Sequence, residues 1–322
     1  DAMPAEAFFE ASTQVDTSFY TPEAVTDAVY SLLAAIGFTG GRAFEPGCGA
    51  GAFMSAAPAS MRIDWTGIDI DPTATRIAKL LHPTADIITG RLEKNEVRDG
   101  TFDVAIGNVP FSSSTVYDQQ GRSGALHNYF ILRAAEAVRP GGYVVLVTSR
   151  HTLDAGGGLL TRSREFDGMV FEGAVRLPSH AFEDAGTSVV TDIVVLRRRG
   201  TDEYTKFWNG PLEVERCEDR SSYYPRVTTV DNGHIVTEPA QAKPGIQTRT
   251  SVYWASHAAH VAGTMKVTTY DRSPLVVHSD DPEAEIRRAT AALGGTLPPL
   301  GPVEGIDDLS DVVLADEEGR AE

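Results

Sequence analysis

Residues 41–51, GRAFEPGCGAG, run a short apolar strand into three glycines spaced GxGxG, with a carboxylate, Glu45, at the strand's end. Glycines at 47, 49 and 51 let the backbone turn tightly and let a ligand approach the main chain. In doubly wound α/β folds the turn after the first strand opens on the cofactor crevice. The spacing is not the dinucleotide GxGxxG, and Glu45 would repel a pyrophosphate, so a neutral or cationic ligand suits it better. A glycine-rich turn alone is equally consistent with plain loop geometry, and the flanking pattern has to decide.

That pattern alternates strand and helix from about residue 19 to 199. TPEAVTDAVYSLLAAIGF, residues 21–38, has Thr-Pro at its start and apolar residues at helical spacing, which predicts a helix. DWTGIDIDP reads as a second strand and TATRIAKLLH as the next helix. ADIITG and FDVAIGN read as strands, and LHNYFILRAAEAV as a helix stopped by Pro140-Gly141-Gly142. GGYVVLVTSR is a fully apolar strand, and FEGAVRLP with SVVTDIVVLRRR forms a late antiparallel pair. Apolar strands separated by helices imply an α/β fold: a doubly wound, mostly parallel sheet covered on both faces. Beyond residue 200 the regularity fades, though SVYWASHAAHVAGTM and DPEAEIRRATAALGG read as helical.

Composition sets outer bounds. The chain has 322 residues, a formal net charge of −17 and two cysteines, Cys48 and Cys217, too few for a disulfide framework or a Cys-rich zinc site. No apolar run suggests a membrane span and the first residues do not read as a signal peptide, so a cytoplasmic location is expected. The acidity argues against strong nucleic-acid binding, which needs Lys and Arg to neutralise phosphate. Yet residues 112–199 carry ten bases, all Arg, against nine acids, so the middle of the chain is permissive toward a polyanion.

Two further motifs narrow the ligand. GIDIDP, residues 67–72, ends in acids about 20 residues after the glycine turn, where a carboxylate holds ribose hydroxyls. Asp69 is the better ribose ligand, and Asp71, before Pro72, reads as a helix cap. A ribose site without a phosphate site favours S-adenosylmethionine (SAM) over a nicotinamide cofactor. GNVPF, residues 107–111, ends a strand at the sheet's active edge. Pro110 keeps Val109 extended, so the Asn108 side-chain oxygen and the Val109 carbonyl are two adjacent acceptors for one –NH₂ group. Phe111 offers a face for a planar ring, a contact typically worth about 1–3 kcal/mol for a base. The structural reading of the same residues is an Asx-turn with Phe111 plugging the core.

In the order FYTP (19–22), EPGCGAG, GIDIDP, GNVPF, the chain resembles the N6-adenine DNA methyltransferases of the gamma motif arrangement. LHNYFILRAAEAVRPGGYVVLVTSRHTLD looks especially like the methylase module of large phage and plasmid helicase–methylase fusion proteins. The resemblance covers about residues 17–199 and implies a seven-stranded SAM-dependent methyltransferase sheet with a C-terminal extension. By position, it assigns Thr21 to the methionine end of SAM, with Glu45, Gly47 and Gly49 lining it, and counts Tyr20 and Glu93 among the cofactor-binding residues. Asp69 falls to the ribose, Ile70 to the cofactor adenine, and Asn108, Val109, Pro110 and Phe111 to the target base. Val109 stands where the family usually has Pro. The acid often found after the third strand is matched by two candidates, Asp86 and Glu93.

The resemblance implies methyl transfer to the N6 amino group of adenine in DNA, by base flipping and in-line attack, with S-adenosylhomocysteine as product and no metal. DNA and further domains, or a helicase or specificity partner, are the expected partners, because the acidic C-terminal third offers no basic stripe. A role in restriction-modification or phage defence goes with that family. Alternatives are a protein glutamine amide, an RNA base amine, or a degenerate SAM-binding scaffold. The implied organisation is a lead-in at 1–18, the methyltransferase domain at 19–199, a smaller extension at 200–300 and an acidic linker or tail at 301–322. His127 reads as packing or surface, and Cys48 as a small filler. Arg150, Arg162, Arg164 and Arg176 read first as solvated charges and second as phosphate contacts.

Overall fold

A computed structural model describes residues 21–95, 97–111, 115–118, 123–154, 168–182, 189–199, 228–231, 234–237, 250–267 and 275–301. The strands are β1 (Gly40–Pro46), β2 (Arg62–Asp69), β3 (Asp86–Thr89), β4 (Phe102–Asn108), β5 (Thr115–Tyr117), β6 (Ser123–Ala125), β7 (Val138–Ser149), β8 (Met169–Arg176) and β9 (Thr191–Arg198). Seven of them form one sheet in the order β3-β2-β1-β4-β7-β9-β8. All run parallel except β9, which is antiparallel to both neighbours. This is the sheet of the SAM-dependent methyltransferase fold, and the late antiparallel pair is β8 with β9.

Both faces are dry. Along each strand successive side chains point to opposite faces, so Ala43, Val145 and Val195 join one apolar cluster while Phe44, Val144 and Leu196 join the other. That is why these strands read as continuous apolar runs rather than alternating ones. On the first face lies α1 (Glu23–Ala35), burying Val25, Val29, Leu32 and Leu33. After the glycine turn comes a single helical turn, α2 (Ala52–Ser55). Helix α3 (Pro72–Leu81) is capped by Asp71, whose side chain accepts from the Thr73 and Ala74 N–H groups, as its place before Pro72 implies. On the second face lies α4 (Leu126–Ala137).

Helix α4 stops at Ala137, just ahead of Pro140-Gly141-Gly142 as read, while β7 starts at Val138 rather than at Gly141. A short antiparallel hairpin, β5 with β6, follows the GNVPF loop.

The described residues beyond 249 pack against the same sheet. Two small hairpins, β10 (Thr228–Asp231) with β11 (His234–Thr237) and β12 (Thr264–Val267) with β13 (Leu275–His278), are also present. Among the described residues the next helix after α5 (His151–Asp154) is α6 (Val252–Ser256), much shorter than the helix read over 251–265; His257 is its C-cap and a 3-10 turn follows at Ala258–His260. Helix α7 (Pro282–Gly294) packs on α1, and its N-cap Asp281 accepts from the Ala284 N–H at 3.0 Å. Leu300 then donates to the Ile36 carbonyl at 2.7 Å, and Tyr143 donates to the Pro298 carbonyl at 2.7 Å.

The residue that ties this segment down is Arg176, at the end of β8. It is 0% exposed. Its guanidinium makes two 2.9 Å bonds to Asp192, lies 3.0 Å from Asp154 and donates to Thr250 Oγ1 at 3.1 Å. Its plane sits 4.3 Å from the centre of the buried Trp254 ring. Burial disfavours its charge, but the two carboxylates outweigh that and hold it firmly protonated. The surface or phosphate-contact readings of Arg176 are therefore wrong: it is fully buried, with partners up to 89 residues away in sequence. Arg150 pairs with Asp154 at 3.2 Å, while Arg162 and Arg164 lie outside the described residues.

Candidate active site

Strands β1, β2 and β4 end side by side at Pro46, Asp69 and Asn108, so the three motifs that follow them share one edge of the sheet. The turn between β1 and α2 requires its glycines. Gly47 has φ 76°, and a Cβ there would sit 3.4 Å from the Phe130 ring and 3.6 Å from Pro110. Gly67, within β2, is needed for a different reason: a Cβ would come within 2.9 Å of the Cys48 sulfur and 2.8 Å of Met54. Cys48 fills that space, and burial, with Glu45 and Asp69 nearby, pushes its thiol far up. It is packing, not a nucleophile.

Asp69 closes the turn from the neighbouring strand. One carboxylate oxygen accepts from the Gly49 N–H and the other from the Asp71 N–H, each at 2.8 Å. Each oxygen keeps a further lone pair for a ligand hydroxyl. Beside it, Ile70 is 44% exposed, an apolar platform left in solvent. A Cβ at Gly49 would meet nothing within 4 Å, so the turn opens onto free space there.

Glu45 is 2% exposed, and its Oε2 has no hydrogen-bond partner. Burial first, and the Asp69 carboxylate second, raise its pKa well above the ordinary value. A buried carboxyl without a partner is costly, and a ligand carrying positive charge would relieve it. These observations fit SAM: a sulfonium and an ammonium for Glu45, a ribose for Asp69, an adenine for Ile70. The raised pKa also predicts a stability effect. Near pH 4 Glu45 is protonated folded or unfolded; as pH rises past 4.5 the unfolded chain ionises first, so the folded state loses stability up to the raised folded pKa. Glu45→Gln should therefore melt with the wild type near pH 4 and above it at pH 8, by on the order of 1–3 kcal/mol, while binding SAM more weakly. Thermal melts and calorimetric titrations at both pH values test this.

Asn108 brings the last motif in. Its Nδ2 donates to Thr21 Oγ1 at 3.2 Å, while its Oδ1 is buried without a partner. The Gly107 backbone leaves room for the Glu45 stem, 3.4 Å from where a Cβ would be. Val109 is buried, and its N–H donates to the Val147 carbonyl at 3.0 Å, continuing the pairing of β4 with β7. Proline, with no N–H, could not make that bond. Pro110 and Phe111 are half-buried, and Phe111 packs against the apolar clusters of both faces.

Of the two acids considered after β3, Asp86 is exposed at the strand's start, the opposite edge from the glycine turn. Glu93 lies past the strand's end, in a 3-10 turn, 3.5 Å from Arg91. Tyr20 lies outside the described residues. Phe130, on α4, was not singled out by sequence, yet it forms a wall of the turn; only its place on the inner face of that helix could have marked it. His127 is buried, with burial and His151 lowering its pKa to about 4, so it is neutral packing. Among the described residues no His, Cys, Asp and Glu cluster could hold a metal, and no helix is long and apolar enough to cross a membrane.

Residues 44–146 match the family model of a methyltransferase domain. The chain is 28% identical over 188 residues to "Defense against restriction protein B" of Escherichia phage P1, covering 56% of this chain and 8% of that protein. It is 28% identical over 144 residues to the "rRNA N(6)-adenosine-methyltransferase metl-5" of Caenorhabditis elegans, covering 42% and 62%. It is 30% identical over 122 residues to the "Type I restriction enzyme MjaIX methylase subunit" of Methanocaldococcus jannaschii, covering 33% and 21%. The chain thus spans less than two thirds of the length of each of these relatives. Residues 44–146 thus match a methyltransferase domain on a sheet of the SAM-dependent methyltransferase fold, which implies SAM as the cofactor.

Proposed function

We propose that this domain transfers a methyl group from SAM to the exocyclic N6 amino group of adenine in DNA. The observation that carries the proposal is the Asn108 Oδ1 atom, a sealed and unpaired acceptor at the cofactor edge of the sheet. Such an atom is costly unless a donor arrives, and an amino group is the donor that methyl transfer requires. SAM, when bound, supplies an electrophilic methyl group on a sulfonium. The chain's residues then have to place the amine. Asn108 Oδ1 and the Val109 carbonyl accept its two hydrogens, which favours a tetrahedral nitrogen with its lone pair free. Phe111 supports the ring of a base turned out of its stack. Glu45, Asp69 and Ile70, with the backbone of Gly47 and Gly49, hold the cofactor, and Glu93 lies on the same side. The acceleration comes from positioning, for which effective molarities are large.

The phage relative is named for defence against restriction and the type I relative as the methylase subunit of a restriction enzyme, which supports DNA as the acceptor. Both are far longer than this chain or matched over a small part, and a net charge of −17 gives little attraction to phosphate. Target selection therefore falls to other domains or subunits, and the isolated domain should bind duplex DNA weakly at physiological salt. A second acceptor, an adenosine in RNA, is favoured by the nematode relative. Incubation with labelled SAM and, separately, unmethylated duplex DNA, ribosomal RNA and protein extract distinguishes them. Label in DNA supports the proposal, label confined to RNA moves the activity to the second reading, and label only in protein overturns both.

A further inference from the structure

We infer that Thr21 is a positioning residue for Asn108, holding its amide with Oδ1 toward the acceptor once an amine is bound, rather than a cofactor contact; this rests on the amine-transfer reading above. The two ends of an asparagine amide are near-isosteric and opposite in hydrogen-bonding sense. Facing the crevice with Oδ1, Asn108 grips an amino group; facing it with Nδ2, it presents donors to a donor and repels it. The protein must therefore hold one orientation.

Among the described residues only Thr21 bonds this side chain, its Oγ1 taking the Nδ2 hydrogen at 3.2 Å while Oδ1 stays unpaired. Thr21 is itself 6% exposed and sits two residues before α1, whose N-cap is Pro22 rather than Thr21. Its hydroxyl is thus not needed to start the helix. A hydroxyl can donate as well as accept, so Thr21 alone allows both amide orientations. Once an amine occupies Oδ1, only one arrangement pairs every atom: amine hydrogens on Oδ1 and the Nδ2 hydrogen on Thr21. The 87 residues between the two positions are spanned by the fold, which explains how a threonine before the first helix comes to act on the loop after β4.

Thr21→Val keeps the β-branched shape and removes the acceptor. It should lower kcat about tenfold or more, with SAM affinity changed less than twofold, and Thr21→Ser should restore kcat to within about threefold. A cofactor contact predicts the reverse, a loss of SAM affinity with kcat largely kept. A second readout is independent of the acceptor's identity. With ¹⁵N-asparagine labelling, the Asn108 side-chain amide, identified by its loss in Asn108→Ala, should exchange its protons slowly in the wild type. In Thr21→Val, exchange should be at least tenfold faster. Unchanged exchange, or a loss confined to SAM affinity, overturns the inference. Absence of methyl transfer by the wild type to any amine would instead overturn the proposed function, with amide exchange still deciding the role of Thr21.

Discussion

Asn108→Ala should reduce methyl transfer on the order of a hundredfold or more, while SAM binding stays within about twofold of wild type. The magnitude follows from the loss of one oriented hydrogen-bond partner in a closed site, typically 10²–10³ in rate where charge or geometry changes during reaction. The selectivity follows from the layout. Asn108 ends β4, and its amide is bonded to Thr21, whereas the groups suited to the cofactor end β1 and β2. Removing the amide leaves Glu45, Asp69 and the glycine turn untouched. Stability should change little or rise slightly, because a buried unpaired oxygen is removed with it. Single-turnover transfer and calorimetric SAM titration measure the two halves separately. Equal losses in both would place Asn108 in cofactor binding instead.

Arg176→Met should cost about 3–5 kcal/mol of unfolding free energy, the range for breaking a buried ion pair by removing one partner. With native stabilities of about 5–15 kcal/mol, that is enough to leave the variant marginal near body temperature. The reason is what remains: Asp192 and Asp154, both buried, lose the guanidinium that bonds them both, and Trp254 loses the same group beside its ring. The effect should not be local. Asp154 also accepts the Ser251 N–H at 2.8 Å, and the Arg176 carbonyl accepts from Ala262, so the 250–262 segment should loosen from the edge strand β8. Adding Asp192→Asn should recover part of the loss, since the stranded charge is then gone. Urea titration of the three proteins measures this; a cost under 1 kcal/mol would mean the network is not what fastens the segment.

What could be read in the sequence was what is local. A strand running into Gly47 and Gly49, an acid at position 69 and the GNVPF loop each encode their geometry within a few residues, and a mostly parallel sheet follows from helices between apolar runs. Asp71 could be recognised as a cap because capping acts within one turn. Arg176 could not be placed, since its environment is built from residues 154, 192, 250 and 254, and an arginine at a strand's end gives no sign of them. The helix read over 251–265 failed for a related reason: its apolar residues are spaced for packing against β8 and the sheet, and tertiary contacts, not helical periodicity, set that spacing. The β5–β6 hairpin is too short to show a period. Thr21 was singled out through the resemblance, but its bond to Asn108 spans 87 residues and appears only when the chain is folded.

The most direct test digests unmethylated duplex DNA after incubation with the protein and isotopically labelled SAM and identifies the labelled nucleoside, with Asn108→Ala alongside. The account predicts N6-methyl-2′-deoxyadenosine with the wild type and a trace at most with the variant. Label on a ring carbon, or equal N6 methylation by both proteins, would contradict it.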